Sequence, residues 1–136
     1  MKYTDILTAM VLLGDALAME LPAKVRAETC LMRAHYAKGI KEWETVREQI
    51  ATDNPPKSGD ERTDEENDAL NELLTAKADE EAALERRHYS AEAFVELCGA
   101  CPHDVVRRRG RKPEEDVLIP AAAWLDAVTA TLMEEA

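Results

Sequence analysis

A mostly α fold, with one long helix folded back against a second, follows from three features of the sequence. Apolar or small residues recur at alternating spacings of four and three through Val25, Thr29, Met32, Tyr36, Gly39, Trp43, Val46 and Ile50, which is the seam of a long helix. Hydrophobic residues make up 46% of the chain but aromatics only 4%, so the core must come from aliphatic and small side chains packed closely on helices. The five glycines and six prolines fall mostly at segment ends, where they punctuate helices rather than break them.

The first helix carries Ile6, Leu7, Met10, Val11, Leu12, Leu13 and Leu17, with Thr4 or Asp5 as its cap. It is apolar on nearly every side except at Asp15 and Glu20, which predicts burial on more than one face or at a subunit interface. The run from Ile6 to Gly14 is flanked by Asp5 and Asp15 and preceded by one cation, Lys2, and so reads as a helix rather than a signal peptide.

The spine spans Pro22 to Ala51, with Pro22 at the first helical position and Asp53-Asn54-Pro55-Pro56 as its stop. At ~1.5 Å per residue it is ~45 Å long, the surface against which other segments must pack. Gly39 lies on its seam, where only a close approach of another element justifies the propensity cost. An acidic connector at 54–63 follows, and Thr63 or Asp64 caps a return helix over 64–88. That helix carries Leu70, Leu73, Leu74, Ala78, Ala82, Ala83 and Leu84 and ends at Arg86-Arg87-His88. The short connector makes the two helices an antiparallel hairpin.

Beyond it, Ser90 caps a short segment, Ala91 to Cys98, for which strand remains an alternative to helix; Gly99 and Pro102 stop it. Val105-Val106 and Val117-Leu118-Ile119 flank Arg-rich turn material, leaving room for a small β-hairpin between residues 90 and 119. Pro120 suits the first helical position of a short last helix with Trp124, Leu125, Val128 and Leu132 at helical spacing. The 136 residues suit one domain, residues 1–136.

The net charge of -11 is unevenly placed: residues 1–52 sum to zero, 53–85 to -9, 86–112 to +4 and 113–136 to -6. Such a balance argues against direct nucleic-acid binding through a basic face. No apolar run reaches the ~20 residues a membrane span needs. Three cysteines, an odd number, fit reduced thiols and a cytoplasmic setting.

Two clusters could carry chemistry. Cys98 and Cys101 have ligand spacing, with His103 and His88 the nearest further zinc candidates and Cys30 and His35 more remote, but a second cysteine pair is missing. A redox dithiol would need a preceding strand-helix-strand pattern, which is not present. The expectation is therefore no metal and no cofactor, with Cys98 packed beside Leu97 and Phe94 and Cys101 incidental. Arg107, Arg108, Arg109, Arg111 and Lys112 form a basic cluster that could hold phosphate. Without interleaved aromatics its expected role is to neutralise the acidic middle, within the chain or between subunits. No nucleophile-base constellation, phosphate loop or His-Glu-x-x-His occurs, so no enzyme is expected.

Leu21-Pro22-Ala23-Lys24-Val25, Lys41-Glu42-Trp43-Glu44-Thr45-Val46-Arg47 and Leu70-Asn71-Glu72-Leu73-Leu74 resemble, in sequence and order, a family of short helical proteins of unassigned function encoded by tailed phages and prophages. The resemblance covers residues 5–85 and the last helix, and leaves the cysteine and arginine clusters outside its pattern. It implies a bacterial cytoplasmic setting and a binding or assembly role, without functional residues to carry over. The expected function is a helical interaction or assembly protein that self-associates, as a homodimer, or binds a protein partner. Alternatives are an acidic decoy of a host nucleic-acid-binding or defence protein, resting on residues 53–85, and a small zinc-stabilised binding protein.

Overall fold

A computed structural model describes residues 1–59 and 61–133; Asp60 of the connector and Glu134, Glu135 and Ala136 lie outside the described residues. Five helices, α1 (Tyr3–Leu17), α2 (Ala23–Asp53), α3 (Asp64–Ala78), α4 (Ala91–Ala100) and α5 (Ala121–Leu132), accompany a two-stranded sheet of β1 (Val105–Arg108) and β2 (Val117–Pro120). The fold is mostly α. Among the described residues no helix is long and apolar enough to cross a membrane.

The seam of α2 is buried from Val25 through Thr29, Met32, Tyr36 and Gly39 to Trp43, with Val46 partly buried against the core. Its main partner is α1, which also meets α3, α5 and β1. Burial of α1 on several faces is thus achieved by the chain's own elements. Tyr3 and Trp43 pack with their rings tilted by 40° and their centroids 5.2 Å apart. At Gly39 an added Cβ would lie 2.9 Å from Ile6 Cδ1 and 3.0 Å from Leu84 Cδ2, the close approach that its place on the seam implies.

Several boundaries differ from expectation. Pro22 is the N-cap of α2 rather than its first helical residue, and the helix runs to Asp53. Lys2, not Thr4 or Asp5, is the N-cap of α1 and makes no side-chain cap bond. Thr4 Oγ1 instead donates to the Ala78 carbonyl at 3.3 Å, and Asp5 pairs with Arg86 at 3.3 Å.

The larger correction concerns the return segment. α3 stops at Ala78 with Lys77 in its last turn, where a cation suits the negative helix end. Residues 79–90 then leave the helix and continue along α2 as an irregular, largely extended segment. Lys2 bridges Glu81, Ala82 N–H donates to Met1 O at 2.9 Å, and Tyr89 N–H donates to Leu132 O at 2.9 Å, so the backbone groups freed from the helix find partners elsewhere. The course stays antiparallel to α2 throughout. Arg62 reaches the Ala51 carbonyl at 3.0 Å, Arg87 meets Tyr36, Tyr89 OH lies 2.7 Å from Thr29 Oγ1, Ser90 donates to Glu28, and Lys24 pairs with Glu92.

Ser90 caps α4 by accepting from Ala93 N–H, which settles the 91–98 segment as helix. The helix passes through Gly99 and ends before Pro102. β1 and β2 pair antiparallel with Val106 opposite Ile119 and Arg108 opposite Val117. Pro120 ends β2 and is the N-cap of α5 rather than its first helical residue, and Trp124, Val128 and Leu132 of α5 are buried in the same cluster as the α1 and α2 residues.

Candidate interaction surface

Alternation along β1 decides what each arginine of the basic cluster does. Val106 is buried and Arg108 half-buried on the inner face, while Val105 and Arg107 are exposed on the outer one. Arg108 therefore meets α1. Its Nη2 and Nε donate to Asp15 Oδ2 at 2.8 and 3.1 Å, and Nε also approaches Oδ1 at 3.3 Å. Trp124 Nε1 donates to the same Oδ2 at 3.1 Å. Asp15, only 7% exposed, thus joins α1, the hairpin and α5 through charge-assisted bonds in a site with reduced access to water.

The rest of the cluster is exposed. Arg107 lies 3.9 Å from Asp116, whose other oxygen accepts from Gly110 N–H at 2.9 Å and shapes the turn. Gly110 has no room for a side chain, since a Cβ there would stand 2.5 Å from Glu115 Cβ and 2.7 Å from its carbonyl oxygen. Arg109, Arg111 and Lys112 are exposed beside the 3₁₀ turn Pro113–Glu115. Of the seven large apolar residues exposed among those described, three are on the hairpin: Val105 (42%), Val117 (52%) and Leu118 (57%). Two open clefts of about 340 and 360 Å³ separate the hairpin from α1, with Arg107 and Arg109 on one side and Met10, Val11, Gly14 and Ala18 on the other. Guanidinium groups beside apolar patches suit an acidic, partly apolar protein surface.

Among the described residues the basic cluster does not neutralise the acidic middle within the chain. Among the described residues Arg107 and Arg108 pair with Asp116 and Asp15, neither of which belongs to residues 53–85. The acids of that stretch have nearer partners: Asp79 pairs with Lys2, Glu80 with Lys77, and Glu66 closes a capping box with Thr63. Backbone N–H groups of Lys57 and Thr63 hold the Glu66 carboxyl below its usual range.

The cysteine expectation is reversed in detail. Cys101 is the buried thiol and Cys98 is half-buried. Burial, with the neighbouring Cys98, pushes the Cys101 thiol up. His103 is exposed after Pro102, and His88 is half-buried in the 79–90 segment. His35 is engaged with the Glu85 carbonyl at 2.6 Å, and Cys30 is exposed on α2. Among the described residues no three His, Cys, Asp or Glu side chains converge on a point where a metal could sit.

Two polar networks escaped the sequence reading. Besides Asp15 with Arg108 and Trp124, Tyr36 OH donates to Arg87 O and accepts from Arg87 N–H, both at 2.7 Å. Burial pushes the Tyr89 hydroxyl up to about 12, which keeps it neutral against Thr29. These hydroxyls fasten the 79–90 segment to α2 and stay engaged in internal bonds. No family model, no curated protein and no solved structure matches the chain.

Proposed function

We propose that the chain is a non-enzymatic helical interaction and assembly protein that docks acidic protein surfaces through its β1–β2 hairpin. One observation carries this reading: Asp15, itself held by Trp124, fixes Arg108 and with it the hairpin, while Arg107 and Arg109 remain exposed and Leu118 lies opposite Arg107 on the outer face with Val105. An element anchored from within that exposes apolar residues beside cations has the composition of a protein interface, and its pre-set shape lowers the ordering cost of binding. Glu114, Glu115 and Asp116 in the adjoining turn favour a protein partner over a nucleic-acid backbone, which would meet their repulsion. The resemblance to phage and prophage proteins makes a bacterial cytoplasm the setting of this role.

The decoy alternative has less support, because Glu66, Asp79 and Glu80 are already paired with groups of the chain itself rather than arrayed as a phosphate track. Capture from bacterial lysate with the intact chain as bait tests the reading. Acidic proteins recovered by the native chain should be lost with Arg107→Glu/Arg109→Glu and with Leu118→Asp. An unchanged set of captured proteins would refute docking through the hairpin.

A further inference from the structure

The hairpin has an unpartnered counterpart at the far end of α2. There, Asn54, Pro55, Ala69, Leu70 and Leu73 line an open groove between the connector and α3. Of the fifteen residues of α3 only Ala78 is buried, and Leu73 is 46% exposed. Helical spacing sets Glu65, Ala69, Glu72, Leu73 and Ala76 on one side, an apolar row beside an acidic one. The one cation in the groove wall is Lys57.

The two surfaces complement each other. The hairpin exposes Arg107, Arg109, Arg111 and Lys112 beside Glu114, Glu115 and Asp116 of its turn, whereas α3 exposes Glu65, Asp68 and Glu72, which make no ion pair among the described residues. Each surface also exposes aliphatic side chains, Val105 and Leu118 on the hairpin and Leu73 on the groove. They cannot meet within one molecule. The hairpin rests on the C-terminal part of α1, which leads directly into the start of α2, and the groove begins at Asn54, the C-cap of α2. The 31 residues between separate them by ~46 Å at ~1.5 Å per residue.

We propose that the α2–α3 groove seats the β1–β2 hairpin of a second copy of this chain. The inference rests on the docking reading above and names its partner. The hairpin's apolar outer face covers Leu73 and Ala69, and Arg107 and Arg109 lie along Glu65 and Glu72. Because the contact joins two different patches, every copy offers one hairpin and one groove. A single small contact of this kind associates in the range of tens of micromolar and weakens with salt.

Sedimentation equilibrium over a concentration series at low and high salt tests it. The native chain should exceed the mass of one copy at tens of micromolar in low salt and approach it in high salt. Arg107→Glu/Arg109→Glu, which leaves Arg108 on Asp15, and Glu65→Lys/Glu72→Lys should each associate at least about tenfold more weakly. Mixing the two variants should restore association, since each then meets a complementary surface on the other. Circular dichroism checks that they fold, and Leu73→Ser, outside the charge pattern, should weaken association on its own. A native chain that stays monomeric, or reversed-charge variants that associate like it, would overturn the proposal. If the native chain is monomeric but hairpin variants still lose an acidic protein from lysate, the second-copy inference fails and docking stands. If hairpin variants alter neither, both fail.

Discussion

The first twenty-one residues of α2 and the whole of α3 carry similar sequence patterns and meet opposite fates. On α2, six seam residues from Val25 to Trp43 are buried against α1 and the return segment. On α3, Leu70 and Leu74 are half-buried, Leu73 is exposed, and only Ala78 is buried. The helix is held at its start by local devices: the Thr63–Glu66 capping box, the Lys57 N–H on Glu66, and Arg62 reaching the Ala51 and Asn54 carbonyls. Periodicity therefore marks where a helix forms, but the number of elements converging on it decides how firmly it is held. An element with local restraints and little burial opens most readily, and its surface is the one left for a partner.

Breaking the firmly held side should give the largest effect. Asp15→Ala leaves the Trp124 N–H and the inner side of Arg108 without their acceptor, and should cost about 2–4 kcal/mol, seen as a lower urea midpoint for the whole molecule. A loss confined to the hairpin would mean that Asp15 anchors only that element. On the loosely held side, Thr63→Ala removes the cap and should cost about 1 kcal/mol. That cost should appear as faster amide exchange in α3, with little change in α1 or α2; a uniform change would erase the contrast between the two helices.

Gly39→Ala sharpens the comparison at the point where α2 is most crowded. The added methyl gains helix propensity but meets Ile6 and Leu84 at 2.9–3.0 Å. Because the contacts are the ends of flexible side chains, the expected net loss is below about 1 kcal/mol. A raised melting temperature would show that the seam has slack. The smallest effect is a pH dependence of α3. The Glu66 carboxyl is held down by the Lys57 and Thr63 N–H groups, so its contribution is present above the unfolded value and is lost as pH falls through the lowered folded one. Exchange in the first turn of α3 should quicken over that acidic interval, and Glu66→Gln should remove the dependence.

The mostly α fold, the seam and the room for a small hairpin between Val105-Val106 and Val117-Leu118-Ile119 were legible because each depends on local periodicity and turn residues, whereas the register that sets Val106 against Ile119 was not. The end of α3 was not. Ala78 and Ala82 keep helical spacing, and nothing local shows that Ala82 N–H belongs to Met1 O or that the Arg87 backbone belongs to Tyr36. The role of Asp15 was hidden for the same reason, its partners lying 93 and 109 positions away. Cys101 could have been read correctly: Ala93, Leu97 and Cys101 recur every four residues, which places the last of them on the buried side of α4. Of the basic cluster, the sequence identified the members but not that Arg108 serves the interior.

The Asp15 junction also bears on the order in which the chain folds. α1 and α2 are adjacent in sequence and could pair first, but in that pair Asp15 still lacks the guanidinium and indole that cover it in the finished molecule. Both partners come from elements near the other end of the described chain, so the α1–α2 pair gains its full stability only when the hairpin and α5 dock. A partially folded helical pair therefore lacks the charge-assisted bonds that join three elements of the finished molecule, which ties early local pairing to late long-range closure and favours a single cooperative folding transition.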